Sequence, residues 1–187
     1  VITLKILRTG TDIKDEKKLN SLIEDTQIDV KGEQESSRIF LDGTEVTAEI
    51  RSAEVNGYVS QVSAVPMVRE AMVALQQEIA RQYGAVVMDG RDIGTCVLPH
   101  ADLKIYLDAS PEERVKRRWE ECRAKGQHSS KEEIAKEIGM RDNIDSSRDV
   151  SPLEVAPGAI VVDTTNMGIQ QVVEVIAGYA GEVKCSD

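Results

Sequence analysis

Apolar and polar positions change period twice in the first sixty residues. Val1, Leu4 and Leu7 recur at helical spacing, so Val1–Thr9 reads as a helix already under way, with no capping residue before it and Gly10 ending it. Asp15–Glu24 makes a second short helix with Leu19, Leu22 and Ile23 turned inward. From Gln27 to Arg51 the period shortens. Gln27–Val30 alternates, Arg38–Leu41 reads as a strand, and Asp42-Gly43 is a two-residue hairpin signal that returns the chain through Thr44–Val46. This pattern predicts a small antiparallel subdomain inserted into something else.

The helical period then resumes. Pro66 suits a first helical position, and Val68, Met72, Leu75 and Ile79 form the buried stripe of a helix running to Tyr83. Three short apolar runs follow: Ala85–Met88, Leu103–Leu107 and Ala159–Val162. Each is short, rich in Val or Ile and flanked by helical pattern, which predicts a buried parallel sheet in an α/β protein. Two capping boxes are expected. Ser110 with Glu113 opens a helix through Glu121, and Ser130 with Glu133 opens another through about Ser147. A last helix, Ile169–Tyr179, packs back through Val172, Val173 and Ile176.

Composition narrows the class. Of 187 residues, 41% are hydrophobic and 30% charged, as in a globular domain with a real core. No apolar run approaches the roughly 18–20 residues of a membrane span, and Val1–Arg8 lacks the pattern of a signal peptide. A net charge of −10 argues against a nucleic-acid or anionic-membrane partner. A small anionic ligand stays compatible with it, because a few arginines focused in one cleft outweigh a distant average. Cys96, Cys122 and Cys185 have no metal-ligand spacing and read as thiols of a reducing, cytoplasmic setting.

Four groups of residues could carry chemistry. Asp89-Gly90-Arg91-Asp92 directly follows an expected strand, where ligands of open α/β sheets bind; Arg91 can fork onto phosphate and Asp92 can accept from an amino group. Arg141, Asp145 and Arg148 share one helix face by spacing, at the end of the helix opened by Ser130. Arg114, Arg117 and Arg118 crowd a helix N-terminus, where cations oppose the macrodipole and so do not serve helix stability. Ser60 and Arg69 bridge the inserted subdomain and the Pro66 helix. Local ion pairs or a solvated basic face account equally well for the first and third, a salt-bridged solvated face is the commoner meaning of the second, and the fourth says nothing alone.

Taken in order, however, the motifs resemble bacterial cytidylate kinases. The resemblance rests on Ser60-Gln61-Val62, Pro66-Met67-Val68-Arg69, Asp89-Gly90-Arg91-Asp92-Ile93-Gly94-Thr95, Leu107-Asp108-Ala109-Ser110 and Glu112-Glu113-Arg114 with Arg117-Arg118. It continues through Arg141-Asp142 with Asp145 and Arg148, and Val162-Asp163-Thr164-Thr165. The resemblance implies a P-loop kinase-like parallel sheet flanked by helices, with a monophosphate-binding insert (27–60), a helical lid (114–148) and core segments 1–26, 61–113 and 149–187. It implies transfer of a phosphoryl group from ATP, with Mg²⁺, to CMP or dCMP, in a cytoplasmic monomer. Ser60, Arg69 and Asp92 would read the cytosine edge. Arg91 and Arg148 would clamp the CMP phosphate, Arg141 and Asp145 would take the ribose, and Arg117 and Arg118 would bind ATP and steady the group in flight. Arg91, Arg117, Arg118 and Arg148 are thus the expected catalytic residues, with no protein metal ligands. No nucleophilic side chain is expected, since phosphoryl transfer depends on positioning and charge stabilisation.

One family feature is missing from the sequence: there is no GxxxxGK[ST]. In the family that loop follows a first strand lying between the strands represented here by Ala85–Met88 and Leu103–Leu107, and both would precede Val1, along with a further phosphate-binding arginine. The sequence therefore reads as the greater part of such a kinase, inactive without its ATP cradle. The alternatives are a non-catalytic nucleotide-binding fragment and a kinase of another nucleoside monophosphate.

Overall fold

A computed structural model describes residues 1–33 and 36–183; Cys185 lies outside the described residues. The chain divides into two compact units, Val1–Val87 with Arg148–Val150, and Met88–Ser147 with the residues from Ser151 onward.

In the first unit, helix α1 (Ile2–Thr9) has two apolar faces rather than the single expected stripe. Ile2 and Ile6 pack into a cluster with Leu19, Leu22, Val62 and Val68. Leu4, with Val1 and Leu7, packs into a second cluster with Leu41, Val46 and Val55. Helix α2 (Glu16–Glu24) is capped by the Asp15 carboxylate, which accepts from Lys18 N–H, and its Leu19 is wholly buried. Strands β1 (Ile28–Glu33) and β2 (Ser36–Leu41) pair antiparallel, and β3 (Thr44–Glu45) adds to β2. Between them Asp42 and Gly43 both take positive φ, 49° and 80°, which is the turn that twists correctly into a hairpin. Helix α3 (Ala53–Ser63) was not anticipated; Ser52 caps it by accepting from Val55 N–H. Helix α4 (Pro66–Tyr83) begins on its proline as expected, buries Val68, and half-buries Met72, Leu75 and Ile79. Its last residue, Tyr83, donates from its hydroxyl to the Val30 carbonyl at 2.7 Å.

The second unit carries strands β4 (Ile105–Asp108) and β5 (Ile160–Asp163), paired in parallel, so the chain combines a small antiparallel sheet, a parallel strand pair and helices in an α/β arrangement. Ala85–Met88 is not a strand. An apolar run becomes a strand only where a neighbour shares its backbone hydrogen bonds; among the described residues none pairs with this one, and Val87 stands fully in water. The expectation of a buried sheet also fails in part, for Leu107 and Val161 are half exposed. Two strands make too narrow a surface for helices to cover on both faces.

Helix α5 (Pro111–Ala124) starts at Ser110, which accepts from Glu113 N–H, but only this half of the expected capping box forms. The Glu113 carboxylate turns instead to the Arg117 and Lys116 cations, which offer it charge where the cap offers only an amide. At helix α6 (Lys131–Ser146) both halves of the box between Ser130 and Glu133 are present. Helix α7 (Ile169–Glu182) half-buries Val172 and Ile176, whereas Val173 is exposed and Val175 takes the inward position instead.

Candidate active site

In the first unit a chain of backbone and hydroxyl contacts joins Ser60 to Arg69. Ser63 Oγ donates to the Ser60 carbonyl at 3.1 Å, and Arg69 Nε donates to the Ser63 carbonyl at 3.2 Å. Both expected residues are half-buried, and Ser63, the link between them, gave no signal of its own in the sequence.

In the second unit the Asp89–Asp92 segment leads into a single π turn, Ile93–Val97, where Val97 N–H and Leu98 N–H reach back five residues to the Asp92 and Ile93 carbonyls. Such turns are rare and recur at functional sites. Asp92 is buried at its start. Gly90 packs closely there, since a Cβ would lie 2.9 Å from Ile93 Cγ1 and the Ile93 side chain would have to shift.

Arg91 meets the inner side of α6. Its Nε lies 3.5 Å from Asp145 Oδ2 and its Nη1 lies 3.7 Å from Asp142 Oδ1. Both are ion pairs beyond hydrogen-bond length, and among the described residues Arg91 makes no hydrogen bond. The guanidinium is thus held by charge with its donors unspent. Arg141 approaches the same Asp145 oxygen at 3.8 Å and remains half in water, while the Asp145 side chain is 4% exposed.

Arg148 does not share the helix face of Arg141 and Asp145. α6 ends at Ser146, Ser147 closes it with its hydroxyl donating to the Asn143 carbonyl at 2.7 Å, and Arg148 lies beyond, buried.

The three arginines of α5 diverge. Arg114 Nη1 donates to Asp142 Oδ2 at 2.6 Å and ties α5 to α6. Arg117 donates to Glu113, to Thr164 Oγ1 at 3.0 Å, to the Met167 carbonyl at 3.2 Å and to the Thr164 carbonyl. Arg118 pairs with Glu121 at 2.7 Å, a hydrogen bond that raises its already high pKa. Arg117 holds the Glu113 carboxyl below its usual range, and Lys125 with Arg118 does the same for Glu121.

A model of the cytidylate kinase family matches residues 1–182. The chain belongs to the cytidylate kinase family. It is 47% identical over 176 residues to a cytidylate kinase of Pediococcus pentosaceus, which covers 94% of this chain and 77% of that relative. It is 50% identical over 177 residues to one of Limosilactobacillus reuteri, with the same two coverages, and 47% identical over 183 residues to one of Bacillus pumilus, covering 98% of this chain and 81% of the relative.

Within this member of the cytidylate kinase family, the structure brings three of the residues expected from the sequence, Arg91, Arg141 and Asp145, into one ion-pair network. Sequence reasoning missed Asp142 as a member of that network, although Asp142 stands three residues before Asp145 and so on the same helix face. It also missed Thr164 as the acceptor of Arg117.

Proposed function

We propose that the protein transfers the γ-phosphoryl group of ATP to CMP or dCMP, giving CDP or dCDP. The state of Arg91 carries this reading: a guanidinium fixed by two carboxylates yet free to give its hydrogen bonds suits capture of a phosphate. Arg148 is the second phosphate clamp in this reading. Arg141 and Asp145 take the ribose, and Ser60, Arg69 and Asp92 read the cytosine edge.

The chemistry then follows from placement. An acceptor phosphate oxygen held by arginines attacks the γ-phosphorus in line, and ADP leaves as the P–O bond to the β-phosphate breaks. Arginines stabilise the charge that spreads over the equatorial oxygens. Arg118, still partly in water, is the α5 arginine better placed to reach ATP. Arg117 would have to give up acceptors on Thr164 and Met167 to do the same. Mg²⁺ would be carried on the ATP phosphates and would neutralise part of their charge, and this reading gives it no protein ligand. The sequence holds no GxxxxGK[ST], so this reading assigns its residues to the acceptor and lid side of the reaction and none to a cradle for the ATP β- and γ-phosphates.

No described helix is long and apolar enough to cross a membrane, and the net charge of −10 suits neither a nucleic-acid nor an anionic-lipid partner. We take the protein to act as a monomer in the cytoplasm.

The test is acceptor-dependent ADP formation from MgATP with CMP, dCMP, UMP and AMP, beside calorimetric binding of CMP and cytidine. CMP and dCMP should be the preferred acceptors, and Arg69→Ala should reduce that preference about tenfold or more, the scale of one lost charged hydrogen bond. CMP binding without ADP formation would favour the non-catalytic module, and an unchanged preference in Arg69→Ala would remove that residue from base reading.

A further inference from the structure

The proposed reaction gives Asp142 no role, yet it is the point where two arginines from different segments converge. Its Oδ2 accepts the 2.6 Å bond from Arg114 on α5. Its Oδ1 is buried, has no hydrogen-bond partner among the described residues, and lies 3.7 Å from Arg91 Nη1. A buried carboxylate oxygen without a hydrogen bond is costly, and its closeness to a cation whose own donors are unspent offsets that cost through charge alone. Arg114 fixes the other oxygen, so Asp142 cannot turn to give Arg91 a proper bidentate pair. The contact is strong enough to keep Arg91 on the α6 face and too long to consume its N–H groups.

We propose that Asp142 is a positioning residue for the acceptor phosphate, an internal counter-ion that keeps Arg91 aimed until a phosphate displaces it. This rests on the reading of Arg91 as a phosphate clamp. A phosphate brings two negative charges and oxygens within hydrogen-bond reach, so it wins Arg91 from a carboxylate held at a distance. Asp142 then keeps Arg114, and the tie between α5 and α6 survives the exchange. A ligand without a phosphate cannot make this exchange. Asp142 therefore sets how much of the affinity for a nucleotide comes from its phosphate, and the sign is definite: its charge weakens anion binding at Arg91.

The experiment compares calorimetric binding of CMP and of cytidine to the protein and to Asp142→Asn, Asp142→Ala and Arg91→Ala, at low and at high salt. Asparagine preserves the volume and an acceptor for Arg114 while removing the charge. Asp142→Asn should bind CMP about twofold to fivefold more tightly, the range of one partly exposed ion pair, and cytidine unchanged. The gain should shrink at high salt. Asp142→Ala also loses the Arg114 acceptor and should lower the thermal midpoint more than Asp142→Asn does. If CMP binding to Asp142→Asn is unchanged or weaker, or if CMP and cytidine shift together, the proposal is overturned and Asp142 only ties two helices. Arg91→Ala separates the two readings. It should erase most of the difference between CMP and cytidine, and if that difference persists the assignment of Arg91 itself has failed.

Discussion

The unit containing Val1–Val87 closes around two apolar clusters, whereas in the Met88–Ser147 unit arginines add side-chain ties between segments beside the β4–β5 pairing and the hydrogen bonds of Thr164 and Thr165. In the first, α1 lies between Leu19, Leu22 and Val68 on one side and Leu41, Val46 and Val55 on the other. In the second, Arg114 joins α5 to α6, Arg117 joins α5 to the Thr164–Met167 turn, and Arg91 is held by two carboxylates, while Leu107 and Val161 stand half in water. Apolar packing is non-directional and rewards close fit everywhere. Guanidinium bonds are directional, and an anion can take them over one at a time. The first kind of region makes a frame, and the second can exchange an internal partner for a ligand.

The contrast breaks most readily at its apolar end. Leu19→Ala removes a wholly buried side chain from the centre of the first cluster and should cost about 2–5 kcal/mol, depending on how far Ile6 and Val68 close the gap. Val161→Ala removes a half-exposed strand residue and should cost under about 1 kcal/mol. Urea unfolding of both variants measures the difference. Equal losses would mean that the second unit is packed as tightly as the first, and the comparison would lose its basis.

The polar end is tested by Arg117→Lys, which keeps the charge and loses the fork. Lysine cannot serve Glu113, Thr164 Oγ1 and the Thr164 and Met167 carbonyls together, so at least one acceptor loses its donor. The expected loss is about 1–3 kcal/mol, seen in thermal unfolding, with faster amide exchange along Thr164–Met167. If exchange there is unchanged, Arg117 does not hold that turn and is available for the ATP role expected from the sequence.

The same contrast explains what could be read from the sequence. The helix boundaries around Pro66–Tyr83 and the Asp42-Gly43 hairpin were legible, because periodicity, a proline and a turn that needs positive φ are local. Helix α3 escaped notice: Gly57 interrupts its pattern, and only two residues, Val55 and Val62, are buried, so its apolar stripe is too sparse to stand out although seven is a helical spacing. Ala85–Met88 has the composition of a strand, yet strands are made by partners that no window of sequence contains. The site divides likewise. Arg91 and Asp145 follow from motif order, whereas the partners that decide what each arginine does, Asp142 for Arg114 and Thr164 for Arg117, lie 28 and 47 residues away. Spacing puts Arg148 on the helix with Asp145, but the helix stops first, at a serine that satisfies its own last turn.

The smallest expected effect lies where the two kinds of contact meet in one place, at the hairpin of the apolar unit. Asp42 turns the chain at φ 49°, accepts from Gln27 N–H at 2.9 Å and pairs with Lys5 of α1 at 2.8 Å. Lys5 first, and the Gln27 amide second, hold its carboxyl below the usual aspartate range. Asparagine tolerates the same left-handed conformation and can still accept from Gln27, so Asp42→Asn isolates the charge. At neutral pH it should lose about 0.2–1 kcal/mol, because the pair is partly exposed. The sign with pH follows from the depressed value. The ionised carboxylate favours the folded state, so its contribution is complete above the unfolded aspartate pKa of about 3.9 and disappears as pH falls through the lower folded value. Glu45, Glu113 and Glu121 are lowered by their own cations and add to the acid limb of both proteins, so the informative quantity is the difference between parent and variant. That difference should be flat at neutral pH and close towards zero in acid. A gap that persists at low pH would mean that Asp42 supports the turn by its shape, and the hairpin would then rest on the same non-ionic footing as the two clusters beneath it.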